Sequence, residues 1–147
     1  MDPTQTTCGE SAGGFRISLR ITHPSALPQL ISKQMAHAPD LEHAVGAPRS
    51  TPKGTALPGV YKESFWLLRG PSSQNLQEVV AWANSVTSPC SAFLQEVVQT
   101  GGAVEYFIGC FAEPQMGGSI DAATLTECGR IGVTITLDIY GPDTPSP

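Results

Sequence analysis

The sequence is poor in the features that usually announce chemistry. Its four cysteines, Cys8, Cys90, Cys110 and Cys128, form no Cys-x-x-Cys pair. The closely spaced ligands of a zinc site and the dithiol of thioredoxin-like catalysis are therefore both missing. His23, His37 and His43 have no ligand-like spacing, and lone histidines near prolines read as loop residues rather than as bases or metal ligands. The glycine pairs Gly13-Gly14, Gly101-Gly102 and Gly117-Gly118 punctuate turns, because none sits in the tight strand-to-helix context of a phosphate loop. No cofactor is expected from these patterns, and no catalytic constellation.

Two further absences concern partners and location. No apolar run approaches the roughly 18 residues of a membrane span. Met1 to Gly14 has neither the basic cluster nor the apolar stretch of a signal peptide, so the expectation is a cytoplasmic protein with free thiols. Basic residues are also scarce: eight Lys and Arg stand against thirteen Asp and Glu, for a net charge of -5 and a pI near 5.0. That balance argues against nucleic acid and mildly favours a basic protein partner.

What is present is alternation. Val133, Ile135, Leu137 and Ile139 alternate with Thr134, Thr136, Asp138 and Tyr140, the period of a strand with one face on a core. Phe15 to Thr22 repeats the pattern, with Arg16, Ser18 and Arg20 on its polar face. Glu63 to Arg69, around Phe65-Trp66-Leu67-Leu68, reads as a second strand, and Ala103 to Phe111, apolar on both faces, as a central third. Helical spacing predicts a helix after Ser25 with Leu27, Leu30, Ile31 and Met35 inward, and another over about Gln74 to Val86. A third starts at Ser88-Pro89, with Val98 on its inner face, and Asp121 caps a fourth that faces Leu125 and Cys128 inward and ends at Gly132. Residues 38 to 60, with four prolines, read as a long irregular loop carrying Arg49 and Lys53.

The resulting order, strand, helix, strand, helix pair, strand, helix, strand, predicts an α+β ferredoxin-like sheet in the order four, one, three, two, with all helices on one face. A single domain is expected over residues 14 to 140, between a flexible lead-in (1 to 13) and tail (141 to 147). The open face would display Arg16, Arg20 and Asp138, the last paired across to an arginine of the first strand.

This order of elements resembles the small bacterial domain of unknown function 4279. The resemblance runs through Met35-Ala36-His37-Ala38-Pro39-Asp40, the Lys53-Gly54 loop leading to Phe65-Trp66-Leu67-Leu68, Ile120-Asp121 with Leu125, and Leu137-Asp138-Ile139-Tyr140. It spans nearly all of 14 to 140 and implies no established activity. Similar small domains accompany bacterial toxins as immunity proteins, so by analogy the expectation is a non-enzymatic protein-binding inhibitor of a toxin encoded nearby. The alternative is a ligand-binding regulatory domain or minor enzyme using the open face and the Arg49/Lys53 loop. Arg49, Lys53, Trp66, Arg16, Arg20 and Asp138 are the candidate partner-binding residues, and the open face can also accommodate a homodimer.

Overall fold

The computed structural model describes residues 13–112 and 116–141. Cys8, nearly all of the expected lead-in, the tail beyond Gly141 and residues 113–115 of the turn lie outside them. Strand β1 (Gly14–His23) is built on the expected alternation: Phe15, Ile17, Leu19 and Ile21 are buried while Arg16, Ser18 and Arg20 face the other way. It occupies the centre of a five-stranded sheet of order β2-β5-β1-β6-β7, made with β2 (Leu41–His43), β5 (Ser64–Ser73), β6 (Ala103–Phe111) and β7 (Val133–Tyr140). Strands β3 (Pro48–Ser50) and β4 (Ala56–Val60) form a separate exposed ribbon.

This sheet replaces the expected four-stranded ferredoxin-like arrangement, and β2 is the reason. Helix α1 (Pro28–Met35) does return the chain for a strand parallel to β1, but that strand is the three-residue β2, which pairs antiparallel with β5. The extra strand inverts β5 relative to β1, while β6 and β7 still run against β1 as expected. Strand β5 therefore runs antiparallel to β1 and sits directly beside it. The helix pair α2 (Leu76–Thr87) and α3 (Ser91–Gln99) behaves as one bent crossover, because Ser88, which opens the intervening 3-10 turn, and Ser91, which follows it, stay in the right-handed helical region. It carries the chain over β1 to β6, which is antiparallel to β1 on its other side. Helix α4 (Ala122–Ile131) then makes the single-helix return that places β7 parallel to β6.

The irregular loop expected over 38 to 60 is thus substantially ordered. Asp40 N donates to Leu67 O at 2.8 Å, Val45 N to the Ser64 hydroxyl at 3.0 Å, and Gly46 N to Tyr61 O at 2.8 Å, which anchors the root of the ribbon. Tyr61 also stacks on His43 with ring centroids 3.5 Å apart.

Local signals explain the helix ends. Asp121 caps α4 by accepting from Thr124 N at 2.8 Å, and Gly132 closes it in the left-handed region at φ 95°. Ser25 does not cap α1; Pro28 occupies its first turn, and the Ser25 amide instead donates to His23 Nδ1 at 3.0 Å. All four helices lie on the face of the sheet that carries Leu19, Trp66 and Tyr106, and they close the core over it. Leu27, Leu30, Val98 and Leu125, expected to face inward, are exposed, because each helix needs only a narrow stripe against so small a sheet. On β7, Val133 and Ile135 pack against the core, whereas Leu137 and Ile139 are 50% and 67% exposed. The final strand is an edge of the sheet.

Candidate functional site

The uncovered face of the sheet holds the richest cluster of polar chemistry among the described residues. Its geometry begins with a bulge. Ser18 pairs with Arg69 and Arg16 with Ser72, so β5 carries one residue more than β1 between them, where Gly70 and Pro71 lie. A proline is tolerated there because a bulge asks for no ladder amide. Gly70 is required on the covered side: a Cβ would lie 2.4 Å from the Trp82 ring. The bulge opens a groove of ≈410 Å³ between β5 and β6, with β1 as its floor.

Arginines surround that floor. Arg16 and Arg20 flank Ser18 along β1, each about 7 Å from it at the spacing of same-face residues, and Arg69 faces Ser18 across the ladder. Two of the guanidiniums are braced by rings. Arg20 lies over Phe107, with its Cζ 3.8 Å from the centroid, and Arg16 lies over Phe111 at 4.5 Å. Phe111 in turn stacks on Tyr140 at 5.0 Å. Its ring leans back over Gly109, where an added Cβ would come within 3.2 Å of it. Arg16, Phe111 and Tyr140 thus form a row across three neighbouring strands, with the central ring in contact with both its neighbours.

The charges in this region are unequally satisfied. Each nearby carboxylate has a donor: Glu105 accepts from the Thr136 hydroxyl at 2.6 Å, Asp138 from the Tyr140 hydroxyl, and Asp40 from the Arg69 backbone amide at 2.7 Å. The bond to Asp138, which favours the neutral phenol, pushes the Tyr140 titration upward. The guanidiniums of Arg16, Arg20 and Arg69 form no ion pair and no hydrogen bond among the described residues, and Arg20 Nε is buried without a partner. An unpartnered buried donor costs about 1–3 kcal/mol. The groove therefore carries cationic donors, two of them held by rings, that no carboxylate engages among the described residues.

The residues singled out from the sequence scatter. Arg16 and Arg20 stand in the groove. Asp138 shares the open face but does not pair with an arginine of β1, because β6 lies between β7 and β1 and Asp138 is level with Gly109. Trp66 is fully buried beneath the sheet, where its indole N–H donates to Ser32 Oγ at 2.9 Å, so it is a core residue and not a surface anchor. Arg49 and Lys53 belong to the ribbon, with Arg49 donating to Pro58 O at 3.1 Å, and neither lines the groove. Arg69, Ser72, Phe107, Phe111 and Tyr140 were missed as site residues. For Phe107 and Phe111 the signal existed: they alternate with the buried Val104, Tyr106, Ile108 and Cys110, which places them on the open face.

Elsewhere polar groups are spent on structure. His23 is buried at the end of β1, where Nδ1 accepts from the amides of Ser25 (3.0 Å) and Ala26 (2.9 Å) and Nε2 meets the Thr100 hydroxyl at 2.8 Å. Tyr106 bonds Asn84 Oδ1 at 2.6 Å and Thr87 Oγ1 at 2.7 Å, and burial drives its phenol titration well upward. Cys90, Cys110 and Cys128 are free thiols, the last two buried, and burial raises the titration of all three. Among the described residues no group of three or more His, Cys, Asp or Glu could hold a metal ion, and no helix is long and apolar enough to cross a membrane. No protein-family model matches the chain, and neither does any curated protein or solved structure.

Proposed function

We propose that this chain is a non-catalytic binding domain that holds an acidic surface or segment of a protein partner on the open face of its sheet. The observation that carries this reading is the set of three arginines around one groove, none paired with a carboxylate among the described residues, two braced on phenylalanine rings. Cations already held in place over rings lower the ordering cost of association, and a cationic patch selects for opposite charge. The net charge of -5 pointed to a basic partner; the local charge of the groove points the other way, and contact is governed by the local patch.

An immunity-type role fits this reading, with a neighbouring toxin presenting an acidic face. Co-expression with the product of the adjacent gene, followed by size-exclusion chromatography, tests it. The expected result is a one-to-one complex that weakens with added salt and is lost in the R16E/R20E/R69E variant. Separate elution at micromolar concentration, or a complex indifferent to those substitutions, overturns it.

A further inference from the structure

The groove offers more donors than a carboxylate can use. One guanidinium fork satisfies one carboxylate, whereas here Arg16, Arg20 and Arg69 surround a floor that also supplies the hydroxyls of Ser18 and Ser72. Up to fifteen guanidinium N–H groups and two hydroxyls lining one groove suit a tetrahedral dianion with three terminal oxygens. From this arrangement, and resting on the reading of the open face as an anion-binding surface, we infer that the groove recognises a phosphomonoester carried on a protein partner, with the phosphoryl group seated over Ser18 between the three arginines.

Two features choose the carrier. The groove is a shallow trough on a flat sheet, whereas sites for free metabolites enclose most of their ligand. The same face continues past the buried Leu67 of β5 to the exposed Leu41 of β2, level with Arg20, which gives flanking residues of a peptide an apolar contact. Nucleobases are poorly served, since the Phe111 ring is already engaged by Arg16 and by Tyr140.

The inference carries a pH signature. Arginine stays charged throughout, and a phosphomonoester gains its second charge near pH 6, so affinity should climb between pH 5 and 7. The other ionisable groups on this face are Glu105, Asp138, Tyr140 and Asp40, together with His43 beyond Arg20. Protonation of His43 adds positive charge as pH falls, which strengthens anion binding and so acts with the opposite sign.

Fluorescence anisotropy with three matched peptide pools, each with a central phosphoserine, glutamate or serine in randomised flanks, and with phenyl phosphate as competitor, tests this. The phosphoserine pool should bind at least tenfold more tightly than the glutamate pool. That advantage should shrink below pH 6 and vanish in R16Q/R20Q/R69Q, whose thermal midpoint is unchanged. Equal binding of the phosphoserine and glutamate pools, both lost in the variant, overturns the phosphoryl assignment and leaves the acidic-partner reading standing. Phenyl phosphate binding more tightly than the phosphoserine pool overturns the protein carrier. Failure of every pool, beside a co-expressed complex that still depends on the arginines, likewise overturns only the phosphoryl assignment.

Discussion

The guanidinium carbon of Arg20 lies 3.8 Å from the centre of the Phe107 ring, and the two residues sit on adjacent strands one diagonal step apart. The ring fixes the direction of a long flexible side chain whose Nε is buried and unpartnered. Its value is positional. Phe107→Leu keeps apolar volume and removes the π face, worth about 0.5–1 kcal/mol. The expected outcome is a two- to fivefold loss of affinity for the anionic partner, with a denaturation midpoint close to that of the parent. A large loss of stability with unchanged affinity would make the contact structural only.

Trp66 has the opposite standing. It is fully buried, and its indole N–H bonds Ser32 of α1, tying the first helix to β5. Trp66→Ala should cost about 3–5 kcal/mol by urea denaturation, and Ser32→Ala about 1–2 kcal/mol for the orphaned donor. Partner affinity per folded molecule should stay the same. If Trp66→Ala proves mild in stability and severe in binding, the indole reaches the partner after all.

On β7 the apolar alternation is real but unevenly covered. Ile135 packs against the core and Leu137 is 50% exposed, since the helix layer covers only the first part of the strand. Ile135→Ala should cost about 2–3 kcal/mol and Leu137→Ala under about 1 kcal/mol. Equal costs in chemical denaturation would mean that Leu137 is covered in solution.

These residues also show where the sequence could be read and where it could not. The span of β6, the Asp121 cap, the buried stripe of α2 and the polar parity of Arg16 and Arg20 were all legible, because each rests on local periodicity or a local hydrogen bond. Strand order was not. It turned on β2, whose three residues Leu41, Glu42 and His43 are too few for alternation to register. Nor can periodicity reveal how far a helix layer extends, which is why Leu137 and Ile139 were read as core. The groove was half legible: parity places its side chains on one face, but only the register, with its bulge at Gly70 and Pro71, brings Arg69 opposite Ser18.

A last prediction concerns acid. Glu127 is held well below the usual carboxylate range, at about 2 against an ordinary 4.5, chiefly by hydrogen bonds from Arg130 and then from Ser88. Arg130 bonds it twice, Nε to Oε1 at 2.9 Å and Nη2 to Oε2 at 2.7 Å, and Ser88 Oγ donates to Oε2 at 2.5 Å. The Ser88 bond crosses from α4 to the turn between α2 and α3, so the carboxylate fastens the helix layer as well as its own helix. A folded-state value below the unfolded one contributes stability that is fully present above about pH 4.5 and is lost as pH falls toward 2. The group is at the surface, so salt should weaken the contribution. Urea denaturation at pH 7, 4.5 and 3 should show that Glu127→Gln lowers stability at pH 7 and narrows its gap from the parent as the pH falls. Arg130→Met should reproduce part of the effect, since Ser88 still favours the ionised carboxylate. Parent and Glu127→Gln curves that stay parallel from pH 4.5 to 3 would show that this carboxylate does not couple folding to pH.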